Sequence, residues 1–142
     1  MHLCTTIQTL CLPTMIENIA DNCFSEVRDL VNIEISSDNL FYSLFDNKYL
    51  VKKSNQESEK FDVIIFARRD IESACIPSFI RVINNYAFQN CTRLISLTFE
   101  QNSSLESIGE NAFFNSLGPE EIVFPPSLKL VSVYSLGNIF YL

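Results

Sequence analysis

The chain has 142 residues, of which 47% are hydrophobic and 19% are charged, a composition typical of one folded domain and not of a disordered segment. Its formal net charge of −7, with basic pairs standing isolated at Lys52-Lys53 and Arg68-Arg69, disfavours nucleic acid as a partner. The longest apolar run, residues 63–67, is far below the roughly 20 residues of a membrane-spanning helix, so no membrane span is expected.

The N-terminal segment is apolar and matches a later part of the chain. Residues 4–12, CTTIQTLCL, align with residues 91–99, CTRLISLTF. We interpret residues 1–12 as the second half of a repeat. A signal peptide explains the segment less well, because the charged n-region and the small-residue cleavage site are missing.

A full repeat follows over residues 13–37. Shifting the chain by 64 residues places residues 12–35 on residues 76–99 without a gap, and proline meets proline at Pro13 and Pro77. Fixed-period self-similarity of this kind is typical of repeat architectures.

Residues 38–74 interrupt the array. Asp46-Asn47 lies between two apolar segments, which predicts a hairpin turn. The apolar spacing in residues 61–66 equals that in residues 94–99, so Val63–Phe66 is predicted to supply another strand.

The array then resumes with repeats at residues 75–101 and 102–124 and an incomplete copy at residues 125–142. A shift of 25 residues relates the first two of these. Each copy combines an apolar stripe at helical spacing with a segment of alternating polarity. The copies predict short helices near residues 20–27, 84–91 and 109–115, and parallel strands near residues 8–12, 31–35, 95–99 and 121–124.

One such unit cannot bury its own apolar face, so the copies must stack. We therefore predict a single α/β domain over residues 1–142, a leucine-rich-repeat solenoid. It has a parallel concave sheet, short convex helices and one hairpin-bearing insertion.

The repeat resembles the BspA-type leucine-rich repeat. The likeness is fullest in residues 76–99, IPSFIRVINNYAFQNCTRLISLTF, and extends to residues 104–116, SLESIGENAFFNS. The hairpin-bearing interruption is similar to those of protozoan members. The resemblance implies a surface antigen or adhesion protein at the cell surface or outside the cell, in contact with host or matrix proteins.

No catalytic constellation is visible. His2 is the only histidine, so Ser-His-Asp and Cys-His arrangements are not expected. Three scattered glycines do not form a phosphate loop, and five cysteines without metal-ligand spacing predict neither a zinc site nor a disulfide framework. We expect no enzyme activity, no cofactor and no metal.

The solvent-facing positions of the predicted strands form the candidate binding surface. This surface is polar and acidic, which favours a basic protein partner because complementary charge steers encounter. The candidate residues are Thr9, Asn32, Glu34, Ser96, Thr98, Glu100, Glu121 and Val123.

Two N-glycosylation sequons begin at Asn90 and Asn102. Asn90 lies inside the repeat, where we expect it to be partly exposed on a helical turn beside a core cysteine. Asn102 is therefore the favoured acceptor if the chain is secreted.

Two alternatives to a surface module stay open. Unpaired cysteines and the missing signal peptide favour a cytoplasmic interaction scaffold. The start in mid-repeat and the unfinished last copy favour a degenerate fragment without separate function. The apolar ends, residues 4–12 and 139–142, lack a polar cap, so we expect self-association or a place within a longer array.

Overall fold

A computed structural model describes residues 7–116, 118–132 and 134–136, and within these ranges the chain forms strands and turns but no helix. The strands are β1 (Thr9–Leu12), β2 (Asn32–Ile35), β3 (Tyr42–Phe45), β4 (Tyr49–Lys52), β5 (Val63–Ala67), β6 (Ser73–Ile76), β7 (Val82–Ile83), β8 (Ser96–Phe99), β9 (Ser107–Ile108) and β10 (Leu130–Val131).

The strands are arranged as a solenoid. β1 pairs in parallel with β2, and β6 pairs in parallel with β8. The third sheet has the order β10-β9-β7-β5-β4-β3 and is parallel from β5 to β10. Successive coils therefore stack with their strands in register, and the predicted leucine-rich-repeat solenoid with parallel strands is confirmed.

The predicted short helices are wrong. Residues 84–91 form successive turns, and Tyr86, Phe88 and Asn90 donate their backbone N–H groups to carbonyls of the next coil at 2.7–3.0 Å. An α-helix would direct those groups four residues back along its own chain. Tyr86 and Asn90 also have positive φ angles of 62° and 61°, which interrupt a helical path. Turns also replace the other two predicted helices, at residues 21–26 and 110–115.

The predicted strand near residues 121–124 is also wrong. These residues form no strand, although the ring of Phe124 packs 6.0 Å from that of Phe99, one coil earlier. Pro119 and Pro125 flank the segment, and each removes a backbone donor and restricts φ. The side-chain register of the repeat therefore continues without a hydrogen-bonded ladder.

The predicted hairpin is confirmed. β3 and β4 pair antiparallel. Asp46 and Asn47, between them, have φ angles of 55° and 50°, and Lys48 N–H donates to the Phe45 carbonyl at 3.0 Å. Positive φ at both central positions is the pattern of a type I′ turn, which Asn and Asp tolerate well.

The predicted strand at Val63–Phe66 is present as β5, but it is not of the predicted kind. Its spacing suggested an equivalent of β8, whereas β5 pairs with β4 and β7 in the six-stranded sheet. The strand beside β8 is β6, which starts ten residues later. The apolar spacing of a strand buried on both faces does not identify the sheet to which it belongs.

β4 and β5 divide the hydrophobic core in two. Tyr49, Val51 and Ile64 face the C-terminal core, while Leu50 and Phe66 face the N-terminal core. All five side chains are at most 2% exposed. β4 and β5 therefore separate the two clusters, and we call them, together with β3 in the same sheet, the β3–β4–β5 wall.

Arg69 joins the two halves beside this wall. Its guanidinium is buried and donates to the carbonyls of Val27 at 3.0 Å and Ala87 at 2.8 Å, on opposite sides of the junction. The guanidinium also lies 4.3 Å from the centre of the Phe66 ring. Buried carbonyl groups need such partners, because an unsatisfied polar group in the interior is costly.

Candidate partner-binding face

The outward side chains of β1, β2, β6 and β8 form one type of surface, which we call the polar strand face. Their residues alternate between core and solvent, as expected of a strand with one buried side. The parallel registers place equivalent side chains side by side. The pairs are Thr9 with Asn32, Cys11 with Glu34, Ser73 with Ser96, and Cys75 with Thr98.

The predicted surface residues are all accessible. Seven are exposed and one, Ser96, is half-buried. The exposed residues are Thr9, Asn32, Glu34, Thr98, Glu100, Glu121 and Val123. Glu121 and Val123 lie outside any strand, so they extend the surface beyond the ladder.

The structure groups these residues in two patches and not in one sheet. β1–β2 carries Thr9, Asn32 and Glu34, while β6–β8 carries Ser96 and Thr98. Among the described residues, no hydrogen-bonded ladder joins β2 to β6. The β3–β4–β5 wall accounts for the break, since it enters the chain between those two strands.

Sequence reasoning missed two residues of this face, Ser73 and Cys75. Both are exposed and lie directly opposite predicted residues on β8. A signal was available, because the shift of 64 residues that relates the repeats also places Thr9–Leu12 on Ser73–Ile76. Our insertion boundary at residue 74 obscured this match.

Local hydrogen bonds partly occupy two of the acidic groups. The Glu34 carboxylate accepts from the Asn32 amide at 3.4 Å and from the Cys11 thiol at 3.5 Å. Glu100 accepts from the backbone N–H of Ser78 at 2.8 Å. Each carboxylate retains oxygen lone pairs that face solvent, so both stay available to a basic partner.

The exposed thiol of Cys11 is held in its unreactive form. Its hydrogen bond to Glu34 is the largest cause of a pKa above that of an ordinary thiol, and the negative charge of Glu34 acts in the same direction. Because the thiolate is the nucleophile, a raised pKa lowers reactivity at neutral pH.

The two sequons differ sharply in the fold. Asn90 is only 6% exposed, donates to the Val27 carbonyl at 3.4 Å and accepts from the Asn115 amide at 2.8 Å. The expectation of partial exposure for Asn90 is wrong, because its side chain connects adjacent coils. Asn102 is exposed on a turn, with a φ angle of 58°.

Away from the polar strand face, charges alternate between neighbouring coils. The Arg81 guanidinium lies 3.1 Å from the Glu106 carboxylate and 3.7 Å from that of Asp62. The hydrogen bond from Arg81 is the main reason that the pKa of Glu106 lies below its ordinary value. These contacts link neighbouring coils at the surface and partner each of the three charges.

The described residues contain no cluster of three or more histidine, cysteine or acidic side chains able to hold a metal ion. Nor does any helix among them have the length and apolar character needed to cross a membrane. His2 lies outside the described residues.

The family model for the BspA type leucine-rich repeat region matches residues 2–61 and 50–140. The chain belongs to the BspA-type leucine-rich-repeat family. The match includes the wall formed by β3, β4 and β5, which our sequence analysis treated as an interruption. No curated protein sequence matches this BspA-type chain.

Solved structures of bacterial proteins share the fold. The pneumococcal vaccine antigen PcpA is 24% identical, with a TM-score of 0.73 over 86% of this chain. A leucine-rich repeat protein from Eubacterium ventriosum is 19% identical, with a TM-score of 0.78 over 96% of this chain. A leucine rich cell surface protein from Faecalibacterium prausnitzii is also 19% identical, with a TM-score of 0.69 over 97%.

The chain spans 28%, 35% and 41% of the lengths of these three proteins, respectively. It thus corresponds to less than half of each of them. At these identities the likeness establishes the fold.

Proposed function

We propose that this BspA-type chain is a non-enzymatic protein-binding module of a surface antigen or adhesion protein, and that the polar strand face contacts the partner. The observation that carries the proposal is the register of β1 with β2 and of β6 with β8, which aligns exposed polar side chains in rows. Binding surfaces of repeat proteins are built from such rows, since each coil contributes one set of side chains.

The charge of the face indicates the kind of partner. Glu34, Glu100 and Glu121 are exposed, and the whole chain carries a formal charge of −7. A basic patch on a host or matrix protein is the complementary surface. Val123, which is 75% exposed, would add apolar contact at the margin.

Charge reversal on the face tests this proposal. The triple variant Glu34→Lys, Glu100→Lys and Glu121→Lys should lose binding to cultured host cells and to immobilised matrix proteins. A control with the same change in net charge reverses Asp29, Glu59 and Glu110, which are exposed elsewhere.

The control should bind as the native chain does. Equal losses in both variants would mean that net charge and not the face directs binding. Failure of the native chain to bind any cell or matrix protein would contradict the adhesion role.

Surface display has its own test at the two sequons. If the chain passes through a eukaryotic secretory pathway, Asn102 should carry a glycan and the buried Asn90 should not. Loss of the glycan mass on Asn102→Gln, with no change on Asn90→Gln, is the expected result. A glycan on Asn90 of the folded protein would contradict the structure.

A cytoplasmic interaction scaffold is the second candidate, and one observation favours it. Cys11 and Cys75 are free and exposed on the polar strand face. Exposed thiols persist most readily in a reducing compartment. Labelling of intact source cells with a membrane-impermeant reagent separates the two candidates, because only a surface protein is labelled.

A further inference from the structure

β3 is the last strand of the six-stranded sheet, and among the described residues no strand pairs with its outer edge. The backbone N–H of Tyr42, at the start of β3, donates to Asn39 Oδ1 at 2.9 Å. Its sequence, Tyr42-Ser43-Leu44-Phe45, contains no proline and no charge. Natural proteins usually protect an exposed edge with lysine, proline or a bulge, because unpaired backbone groups attract another strand. Beyond Tyr42, β3 therefore presents an unprotected edge.

Two cavities flank this edge, one on each face of the sheet. The aromatic cavity, of about 320 Å³, is lined by Ser43, Phe45, Val51, Lys60, Phe61 and Phe79. The rings of Phe45 and Phe79 meet edge to face at 5.3 Å, and Phe45 remains 39% exposed.

The lysine cavity, of about 710 Å³, lies on the opposite face. Its lining includes Tyr42, Leu40, Lys52, Lys53 and Glu17. Leu40 is 74% exposed at its rim. Tyr42 lines the lysine cavity and Ser43 lines the aromatic cavity. Consecutive strand residues point to opposite faces of a sheet, so the two cavities lie on opposite faces.

The charge at the edge is opposite to that of the molecule. The two cavities are lined by three lysines, Lys52, Lys53 and Lys60, and one carboxylate, Glu17, giving a formal charge of 3 − 1 = +2. The whole chain carries −7. The linings of these two cavities therefore favour an acidic ligand.

We propose that β3 binds an extended acidic segment of a partner protein by strand addition. The added strand continues the sheet through main-chain hydrogen bonds, and its alternate side chains enter the two cavities. Apolar side chains fit the aromatic cavity, and acidic side chains meet Lys52 and Lys53. This surface is separate from the polar strand face, so either can fail without the other.

A fluorescent peptide in which phenylalanine alternates with glutamate is the probe, and anisotropy with the full chain is the measurement. We expect saturable binding. Methylating the peptide's backbone nitrogens that face β3 should weaken binding by about tenfold or more, since it removes about two main-chain hydrogen bonds. Replacing glutamate with lysine in the peptide should abolish binding.

Two variants of the protein locate the site. Phe45→Ser removes an aromatic wall. The double variant Lys52→Glu with Lys53→Glu reverses charge at two half-buried side chains, of which Lys53 lies 5.4 Å over the Phe61 ring. Both should weaken binding. Phe114→Ser and the double variant Arg93→Glu with Lys129→Glu, at exposed positions elsewhere and with the same change in net charge, are the matched controls and should have no effect.

Several results would overturn the proposal. These are tight binding of the lysine peptide, indifference to N-methylation, no binding of the glutamate peptide, or equal effects of variants and controls. Self-association abolished by Phe45→Ser, without peptide binding, would identify a second copy of the chain as the occupant instead.

Discussion

Truncation of Phe88 should destabilise the fold severely. Its ring is fully buried, stacks on Phe113 at a centroid distance of 4.8 Å and an interplanar angle of 17°, and lies 5.9 Å from the Tyr49 ring. Phe88→Ala typically costs about 3–5 kcal/mol at such a site. Within that cost, each of the two ring contacts accounts for about 0.5–1.5 kcal/mol.

This loss is a large fraction of the roughly 5–15 kcal/mol that stabilises an ordinary domain. Urea unfolding followed by circular dichroism measures it. The matched control is Phe114→Ala, in the equivalent turn of the next coil but 41% exposed, which should change the unfolding free energy by less than about 1 kcal/mol. Equal midpoints for the native chain and Phe88→Ala would refute the inward placement of this residue.

Two further substitutions test the stacking of adjacent coils. Gly109→Ala would place a Cβ 2.6 Å from the backbone nitrogen of Asn85. We therefore expect the free energy of unfolding, measured with urea, to fall by about 1–3 kcal/mol. Stability equal to that of the native chain would contradict the close approach of the two backbones. Glu106→Gln removes a carboxylate whose pKa is lowered in the fold by Arg81. The ionised carboxylate therefore stabilises the fold at pH values above the pKa of Glu106 in the unfolded chain. This stabilisation is lost as the pH falls through the pKa of Glu106 in the folded chain. The difference in unfolding free energy between the native chain and Glu106→Gln should therefore shrink on acidification; a difference independent of pH would refute the ion pair.

The sequence allowed the inward residues to be predicted because the repeat carries them at constant offsets. Phe88 and Phe113, 25 residues apart, are both fully buried and stack on one another. The Asp46-Asn47 turn was equally predictable, since these residue types tolerate the positive φ that a tight hairpin needs. In both cases a local chemical preference agrees with the overall fold.

The turns were mistaken for helices because both conformations bring residues three and four apart to one side. What separates them is the destination of the backbone N–H groups, which here is the next coil. Asn90 and Asn115 carried a weak signal, because asparagine is enriched at positive φ and both residues adopt it. The wall formed by β3, β4 and β5 was harder to place, since a strand buried on both faces has no alternation to read.

The relative placement of β6 and β8 is the most direct test of the structure, because that register creates the polar strand face. Cys75 lies opposite Thr98, whereas Ser96 lies opposite Ser73. Adjacent strands lie about 4.8 Å apart, within the Cα separation that a disulfide spans. Thr98→Cys should therefore form an intramolecular disulfide with Cys75 on mild oxidation, detected by mass and thiol counting, while Ser96→Cys should not. A disulfide in Ser96→Cys, or none in Thr98→Cys, would contradict the parallel register.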